Sequence, residues 1–255
     1  MNKYLLFFVL TLAIQLGSAQ KCSHQHGLYK TSHASRLDTM DIVHQQIRLD
    51  VSDFSGGILK GDSEIEIAMH VATNQFRLDL QGLVVDSVWV DGVMVTFLQG
   101  TDGFWVNSTM PWSPFDTLTC RVKYHGDPIS DATWGGFYWN SQYAYNMGVG
   151  FGADPHCFGR VWHPCIDDFN DRVLYDLFVE TQFSHRAYCG GVLQEEVLLD
   201  NGHRMFHWHL SQPVPSYLAS VAVAAYVHVE DEMTSNAGTS LPIWLASKST
   251  DTTNF

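Results

Sequence analysis

A segment rich in potential metal ligands runs from Gly159 to Asp176, with the sequence GRVWHPCIDDFNDRVLYD. Its candidate ligands are His163, Cys165, Asp167, Asp168 and Asp171. Zinc is held by three or four imidazole, thiolate or carboxylate groups on converging elements, and His156 and Cys157 lie close enough in the sequence to contribute. One hypothesis for this segment is therefore a metal site.

A structural role is the alternative hypothesis for the same segment. Pro164 cannot donate to a regular strand ladder and favours a turn between His163 and Cys165. Aspartates in turns commonly accept hydrogen bonds from nearby backbone amides. This alternative fits the residue types better, so we predict no metal ligand and no catalytic residue here.

A second pair of histidines, His207 and His209, occurs in the stretch FHWHL. In a strand both would point to one face, and the apolar neighbours Phe206, Trp208 and Leu210 to the other. The pair could bind a metal, but no third ligand is evident from the sequence. We predict instead the solvent face of an amphipathic strand.

Motifs for hydrolysis are missing from the sequence. No G-x-S-x-G elbow is present, and none of the 13 histidines is followed by glutamate, so no H-E-x-x-H zinc helix is encoded. The sequence therefore predicts no catalytic residues, no metal ligands and no cofactor in this chain, and it leaves the substrate-binding residues unidentified.

Composition limits the class of partner. The formal net charge is −13 at pH 7, and no basic stripe occurs, which excludes nucleic-acid binding. Five cysteines without a C-x-x-C pair do not indicate a disulfide-built scaffold, and Cys157 with Cys165 is the pair most suited to a bond.

The first 19 residues have the features of a secretory signal peptide: Lys3, an apolar run, and then Gly17 and Ala19 before cleavage at Gln20. Lipidation at Cys22 is the weaker alternative, because the small-residue site does not adjoin that cysteine. No later apolar run is long enough to span a bilayer. We expect an exported protein, periplasmic or extracellular, without a membrane span.

Short alternating segments with turn residues between them indicate antiparallel strands from about residue 41 onwards. Ile47, Leu49 and Val51 share one face of such a strand, and Asp91-Gly92 predicts a hairpin turn. The glycine- and aromatic-rich stretch from 135 to 160 shows neither period and predicts a long folded loop. YLASVAVAAYVHVE, from 217 to 230, predicts one buried strand, with a short helix as the alternative. The predicted class is all-β, a sandwich or Greek key.

A set of short motifs follows in a fixed order along the chain. Its residues are Gly135-Gly136-Phe137-Tyr138, Arg160, His163-Pro164-Cys165-Ile166-Asp167, Asp171-Arg172, Tyr175, Gly190-Gly191-Val192-Leu193, Phe206-His207-Trp208 and Gln212-Pro213-Val214-Pro215-Ser216-Tyr217-Leu218. This order resembles the N-terminal domain of the aminopeptidase N family of zinc metallopeptidases. The family pattern has a G-G-x-Y/F element, an A-R-x-x-F-P-C-x-D-x-P segment and a P-x-x-S/P-Y-L strand.

The resemblance implies a saddle-shaped antiparallel β-sandwich that roofs a substrate cleft. It also implies that the zinc ligands, the H-E-x-x-H helix and the G-x-M-E-N loop belong to a following thermolysin-like catalytic domain, through which peptide substrates would be the partners. The resemblance further implies that the stretch from Arg160 to Asp167 is a structural turn of this domain. Two departures are Phe169, where the family has proline, and Ala153, where many members have a substrate-contacting glutamine.

The expected organisation is a signal peptide at 1–19, an N-terminal extension at 20–40, the β domain at 41–230 and, at 231–255, the start of a connection to a catalytic domain. An alternative function is a stand-alone exported β-sandwich that binds peptide or glycan through the aromatic segment from Trp134 to Tyr145.

Overall fold

The protein is described from its computed structural model for residues 36–251. The predicted signal peptide and most of the predicted extension lie outside these residues. The strands are β1 (Met40–Asp50), β2 (Leu59–Met69), β3 (Thr73–Asp79), β4 (Val84–Val90), β5 (Val93–Met94), β6 (Thr96–Gln99), β7 (Gly103–Trp112), β8 (Thr117–Gly126), β9 (Gly135–Trp139), β10 (Tyr143–Gly150), β11 (Val173–Thr181), β12 (Arg186–Cys189), β13 (Val192–Leu198), β14 (Arg204–Val214), β15 (Val221–Ala224), β16 (Val227–Thr234) and β17 (Ser240–Ser247).

Eight of these strands form one large sheet, in the order β13-β14-β11-β1-β2-β8-β4-β5. Its described pairings are antiparallel apart from β1 with β11, which run parallel. One face of the sheet is apolar: Ile47, Leu49 and Val51 are all at most 2% exposed, as the alternation predicted. The other face carries charged and polar side chains and faces solvent.

Three smaller sheets accompany the large one, with orders β12-β15-β10-β9, β3-β7-β6 and β16-β17. A single apolar cluster includes buried side chains from the large sheet, such as Tyr175, and from the first two small sheets, such as Val223 and Phe104. Because these sheets share one core, the all-β sandwich prediction is confirmed. Two short 3₁₀ helices, Gly159–Val161 and Ser216–Leu218, are part of the connections.

The turn between β4 and β5 forms at Asp91-Gly92, as the sequence predicted. Both residues have positive φ, 50° for Asp91 and 78° for Gly92, the conformation that a two-residue hairpin with right-handed twist requires. Aspartate tolerates this region better than most residues, and glycine adopts it without steric cost.

The prediction of a loop from 135 to 160 was wrong in its first half, which contains β9 and β10. The strand period was hidden because the consecutive residues Gly135 and Gly136 leave one position on each face of β9 without a side chain. Both glycines have positive φ, and a Cβ on Gly135 would lie 1.6 Å from the Val149 carbonyl oxygen. This close approach of two backbones explains why glycine occupies the position.

The prediction of a single strand from 217 to 230 was also wrong. The segment begins in the Ser216–Leu218 helix, continues as β15 and turns at Ala225 before β16. The amide of Tyr226 donates to the carbonyl of Ala224 at 2.8 Å, which closes that turn. Only the central part, β15, is buried between two neighbours, β10 and β12.

Ala224→Leu is expected to lower the free energy of unfolding by about 1–3 kcal/mol, because extra methylenes in a packed core force neighbours off their rotamers. Ala224 is 3% exposed and is paired with Tyr143 and Arg186 on the flanking strands. Urea denaturation measures the effect, with Ala237→Leu at an exposed turn position as the control. An unchanged midpoint for Ala224→Leu would contradict the packing described.

Within residues 36–251, no helix is long and apolar enough to cross a membrane. The predicted division into an extension, a β domain and a connection remains a prediction.

Candidate functional site

The Asp167 carboxylate forms the centre of a buried hydrogen-bond network. It is 1% exposed, and Oδ1 accepts from the Ser216 hydroxyl at 2.5 Å and from the Gly159 amide at 3.1 Å. Oδ2 accepts from Nη1 of Arg160 at 2.7 Å. Burial raises the pKa of Asp167, while the charge of Arg160 and the Ser216 hydrogen bond oppose that rise. Both oxygens of the carboxylate accept hydrogen bonds from other parts of the chain, so the role of Asp167 is structural.

Asp79 ties the same segment to the three-stranded sheet. Its backbone makes two hydrogen bonds with Cys165, at 2.7 and 3.1 Å, and its Oδ2 accepts from the Asp167 amide at 2.9 Å. Its Oδ1 accepts from Arg36 at 2.7 Å and from Arg77 at 2.5 Å. The stretch from Arg160 to Asp167 is thus joined to β3 by backbone hydrogen bonds and by the bond from its Asp167 amide to the Asp79 carboxylate. Through Ser216 it is joined to the chain before β15.

His163 and Cys165 lie in the core, at 0% and 1% exposure. Burial lowers the pKa of His163 to about 3, and the imidazole Nδ1 lies 3.2 Å from the Pro164 carbonyl oxygen. Burial likewise raises the pKa of Cys165 well above its usual value. Near pH 7 the imidazole is neutral and the thiol protonated, so neither offers acid–base or nucleophilic chemistry to a solvent-borne substrate.

The other candidates of the first cluster lie apart from any shared site. Nδ1 of His156 lies 3.1 Å from the Gly150 carbonyl oxygen, and Asp168 accepts from the Asn170 amide at 2.8 Å. Cys157 is buried and, like the other cysteines of the described residues, is not in a disulfide. Among residues 36–251, no group of three or more His, Cys, Asp or Glu side chains is arranged to hold a metal ion.

His207 and His209 lie on the solvent face of β14, as the strand pattern predicted, but they have partners that the sequence did not reveal. Oδ1 of Asp176 on β11 lies 2.7 Å from Nε2 of His207 and 3.0 Å from Nδ1 of His209. Oδ2 of Asp176 lies 2.8 Å from Nε2 of His44 on β1. Three imidazoles thus surround one carboxylate, and the register of β1, β11 and β14 brings them together.

The predicted aromatic segment from Trp134 to Tyr145 divides between packing and surface. Trp134 is 41% exposed and its ring lies 4.9 Å from that of Phe151, which is 61% exposed. Tyr138 and Tyr145 stack with ring centres 5.2 Å apart. Exposed aromatic rings of this kind can bind apolar parts of a ligand, whereas Phe137 is buried in the core.

The residues that sequence reasoning missed are Tyr188 on β12 and Tyr226 before β16, which share a shallow cavity with Tyr143 and Tyr145. The cavity measures about 380 Å³. No motif contains these residues. The nearest sequence signal is the alternation of Tyr143 and Tyr145, which places both rings on one face of β10.

Comparison with known proteins gives matches among solved structures only. No protein-family model and no curated protein sequence matches the chain. A variant of the M1 zinc metallopeptidase of Deinococcus radiodurans, bound to a Tyr-Ser-Ala substrate, superposes with a TM-score of 0.71 at 21% identity, over 81% of this chain and 47% of that chain. Another structure of the M1 zinc metallopeptidase of that organism gives a TM-score of 0.70 at 19% identity, over the same shares of each chain.

Aminopeptidase A of Legionella pneumophila, in complex with aspartic acid, gives a TM-score of 0.72 at 15% identity, over 84% of this chain and 25% of that chain. The chain therefore spans about half the length of the first enzyme and a quarter of the second. The TM-scores establish a shared fold, and identities of 15–21% limit the likeness to the fold. The resemblance to the N-terminal domain of the aminopeptidase N family is confirmed at that level.

Proposed function

We propose that this chain is the N-terminal β domain of an exported zinc-dependent aminopeptidase, which removes N-terminal residues from peptides. The observation that carries the proposal is the superposition of 81% of the chain on an M1 zinc metallopeptidase. The order of the sequence motifs from Gly135 to Leu218 supports the same assignment, and the apolar N-terminus of the sequence supports export.

Among residues 36–251, no three His, Cys, Asp or Glu side chains are grouped so that they could hold a zinc ion. His163 is enclosed in the core, and His44, His207 and His209 surround Asp176 at hydrogen-bond distance. We therefore assign zinc and peptide hydrolysis to a following thermolysin-like domain. The role proposed for this chain is to hold that domain and to form one wall of the substrate cleft.

The Arg160–Asp167 network supports this structural role. It fixes the segment from Gly159 to Asp167 against β3 and the Ser216–Leu218 helix through buried hydrogen bonds to carboxylates. A substrate-cleft wall must be held rigidly to orient a ligand, and buried charged hydrogen bonds provide that rigidity. Ala153 offers no polar side chain there, so contact with a substrate amine must come from other residues.

The purified 255-residue chain is expected to bind no stoichiometric zinc and to hydrolyse no aminoacyl amide, because a catalytic zinc needs three protein ligands and a base near its water. The protein encoded by the complete gene is expected to contain one zinc per chain and to release alanine from an alanyl amide. Metal analysis after dialysis and a chromogenic amide assay measure both results.

Two results would contradict the proposal. One is zinc with turnover in the 255-residue chain by itself, which would show that its own histidines form the site. The other is a reading frame that stops after Phe255 or continues without an H-E-x-x-H motif. Chelator treatment of the complete protein is the control, since turnover that survives metal removal does not belong to a zinc enzyme.

A second candidate function is binding of neutral peptides or glycans without catalysis. It is favoured by the exposed aromatic rings of the chain, those of Trp134 and Phe151 and those that line the tyrosine-lined cavity. This function requires no following catalytic domain, which separates it from the first.

A further inference from the structure

The last two strands of the described residues, β16 and β17, form a hairpin outside the shared core. Within residues 36–251 they pair with each other alone, from Val227 with Ser247 to Thr234 with Ser240. The apolar core cluster of these residues includes no side chain of either strand. A two-stranded hairpin is marginally stable in water unless one face is packed. The two faces of this hairpin therefore show where its stability comes from.

One face of the hairpin contacts the rest of the domain. The ring of Trp244 lies 6.0 Å from that of Trp208 on β14, and Nδ1 of His228 lies 2.6 Å from the Tyr188 hydroxyl on β12. His228 lies two positions before Glu230, which is paired with Trp244, so His228 and Trp244 share this face. The opposite face of the hairpin points away from these contacts.

The opposite face carries a row of apolar side chains. The register pairs Val229 with Leu245, Asp231 with Ile243 and Met233 with Leu241, so these residues share one face; the five apolar ones are called the apolar row. Val229 is 37% exposed, Met233 51% and Leu241 44%. Polar residues alternate with the row on the other face of the hairpin: Glu230, Glu232, Thr234 and Ser240. This alternation is typical of a sheet with one face on a core, yet here that face is exposed.

One charged residue lies within the apolar row. Asp231 is paired with Ile243 at its centre, and Oδ1 of Asp231 accepts from the Glu232 amide at 2.8 Å. A carboxylate is tolerated in a buried interface only when a cation or hydrogen-bond donors pair with it. The surface that covers the row must therefore be apolar and present a cationic or N–H donor group near its centre.

A second copy of this chain is an insufficient occupant. The row spans two strands about 4.8 Å apart and five residues at about 3.3 Å each, so with its side chains it covers on the order of 200 Å². A stable interface between free proteins buries about 800 Å² on each partner. The row by itself is too small to hold two free chains together.

A domain linked to the chain after β17 needs a smaller surface. Such a domain is part of the function proposed above, and this inference rests on that proposal. The chain spans 47% of the matched M1 zinc metallopeptidase, so about half of that enzyme lies outside the superposed part. A short linker holds a tethered partner at an effective concentration of about millimolar, so a small apolar face can dock it.

We propose that the apolar row docks the domain that follows β17 in the complete protein. Docking buries the row on one side of the hairpin, while Trp244 and His228 hold the other side to β14 and β12. The hairpin is then packed between two domains and fixes the orientation of one relative to the other. The docked surface is apolar and pairs a cation or an N–H donor with Asp231.

The test compares thiol labelling in the 255-residue chain and in the protein encoded by the complete gene. Leu241→Cys places a thiol in the apolar row, and Ser240→Cys places one on the opposite face of β17. The Leu241→Cys thiol is expected to react with a maleimide at least about tenfold more slowly in the complete protein, because labelling then requires opening of the docked surface. The Ser240→Cys thiol is expected to react at equal rates in both, and wild type gives the background from the native cysteines.

Two labelling results overturn the proposal. One is an equal rate for Leu241→Cys in the two proteins. The other is a rate in the 255-residue chain that falls as the protein concentration rises, since that result assigns the row to a second copy.

A pair of lysine variants tests the docking by proteolysis. Met233→Lys with Leu241→Lys is expected to leave the denaturation midpoint of the 255-residue chain unchanged, because both side chains are exposed. In the complete protein it is expected to raise the rate at which trypsin separates the domains by at least about tenfold. Thr234→Lys with Ser240→Lys adds the same two cleavage sites on the opposite face and is the control. Equal cleavage rates for the two pairs overturn the proposal.

The zinc and amide assays test the proposed function separately. A complete protein that contains zinc and turns over, but labels Leu241→Cys as fast as the 255-residue chain does, overturns the docking surface alone. A complete protein without a domain after β17 overturns both.

Discussion

Replacing Asp167 with alanine is expected to lower the free energy of unfolding by about 3–5 kcal/mol, the cost of removing one partner from a buried ion pair. The substitution leaves the Arg160 guanidinium, whose side chain is 11% exposed, without its carboxylate. It also removes the acceptor for the Ser216 hydroxyl and the Gly159 amide. Guanidinium chloride denaturation, followed by circular dichroism, measures the loss.

Asp127→Ala is the control for this prediction, because Asp127 is exposed and the change should stay within about 0.5 kcal/mol. Asp167→Asn adds a second comparison. It keeps the shape of the side chain but removes its charge, so it should fall between wild type and Asp167→Ala. Equal stabilities of Asp167→Ala and Asp127→Ala would mean that the network does not hold the segment.

Between pH 5 and pH 9, wild type is expected to lose about 4 kcal/mol of folding stability that Asp171→Asn does not lose. Asp171 is 1% exposed, and neither carboxyl oxygen has a hydrogen bond of normal geometry within the described residues. Burial, followed by the charge of Asp41, raises the pKa of Asp171 to about 8. Asp168 adds to the rise, whereas the Ile42 amide and Arg36 reduce it.

The sign follows from the two pKa values. The folded-state pKa of about 8 lies above the ordinary value of 3.8, so the folded protein holds this proton more tightly than the unfolded chain. The stability that this proton contributes is complete below about pH 4 and is lost as the pH rises through 8. Asparagine cannot ionise, so the variant lacks this loss.

Urea denaturation of wild type and Asp171→Asn between pH 5 and pH 9 measures the difference. Asp127→Asn is the matched control, since an exposed carboxylate should give a curve parallel to wild type. Parallel curves for wild type and Asp171→Asn would show that Asp171 is ionised at little cost in the folded protein. That result would contradict the burial described here.

Strand positions and the sheet face of each side chain were predictable where alternation was uninterrupted. The apolar rows of β1 and β2 and the turn at Asp91-Gly92 formed as expected, because side-chain direction in a strand has a period of two and hairpin turns have a narrow choice of residues. Alternation did not reveal β9, because its two glycines have no side chains to show a pattern. It also did not reveal the end of β15, because the turn at Ala225 lies within an apolar run.

The structural role of the segment from Arg160 to Asp167 was predicted from the resemblance and from the turn-forming residues, but not its partners. Asp79 lies 88 positions before Asp167, and Ser216 lies 49 positions after it. The residues next to Asp167 in the sequence do not indicate these distant partners. They depend on which strand ends meet when the sheets pack.

The sequence by itself determined the all-β class, the faces of the long strands and the motif order that resembles a metallopeptidase domain. Tertiary structure decided the polar sites. The three imidazoles on Asp176 come from β1 and β14 on either side of β11, and the tyrosine-lined cavity requires the register of β10, β15 and β12. Periodicity sets the direction of a side chain from its own strand, whereas its neighbours depend on strand order and register, which are fixed by burial of the whole core.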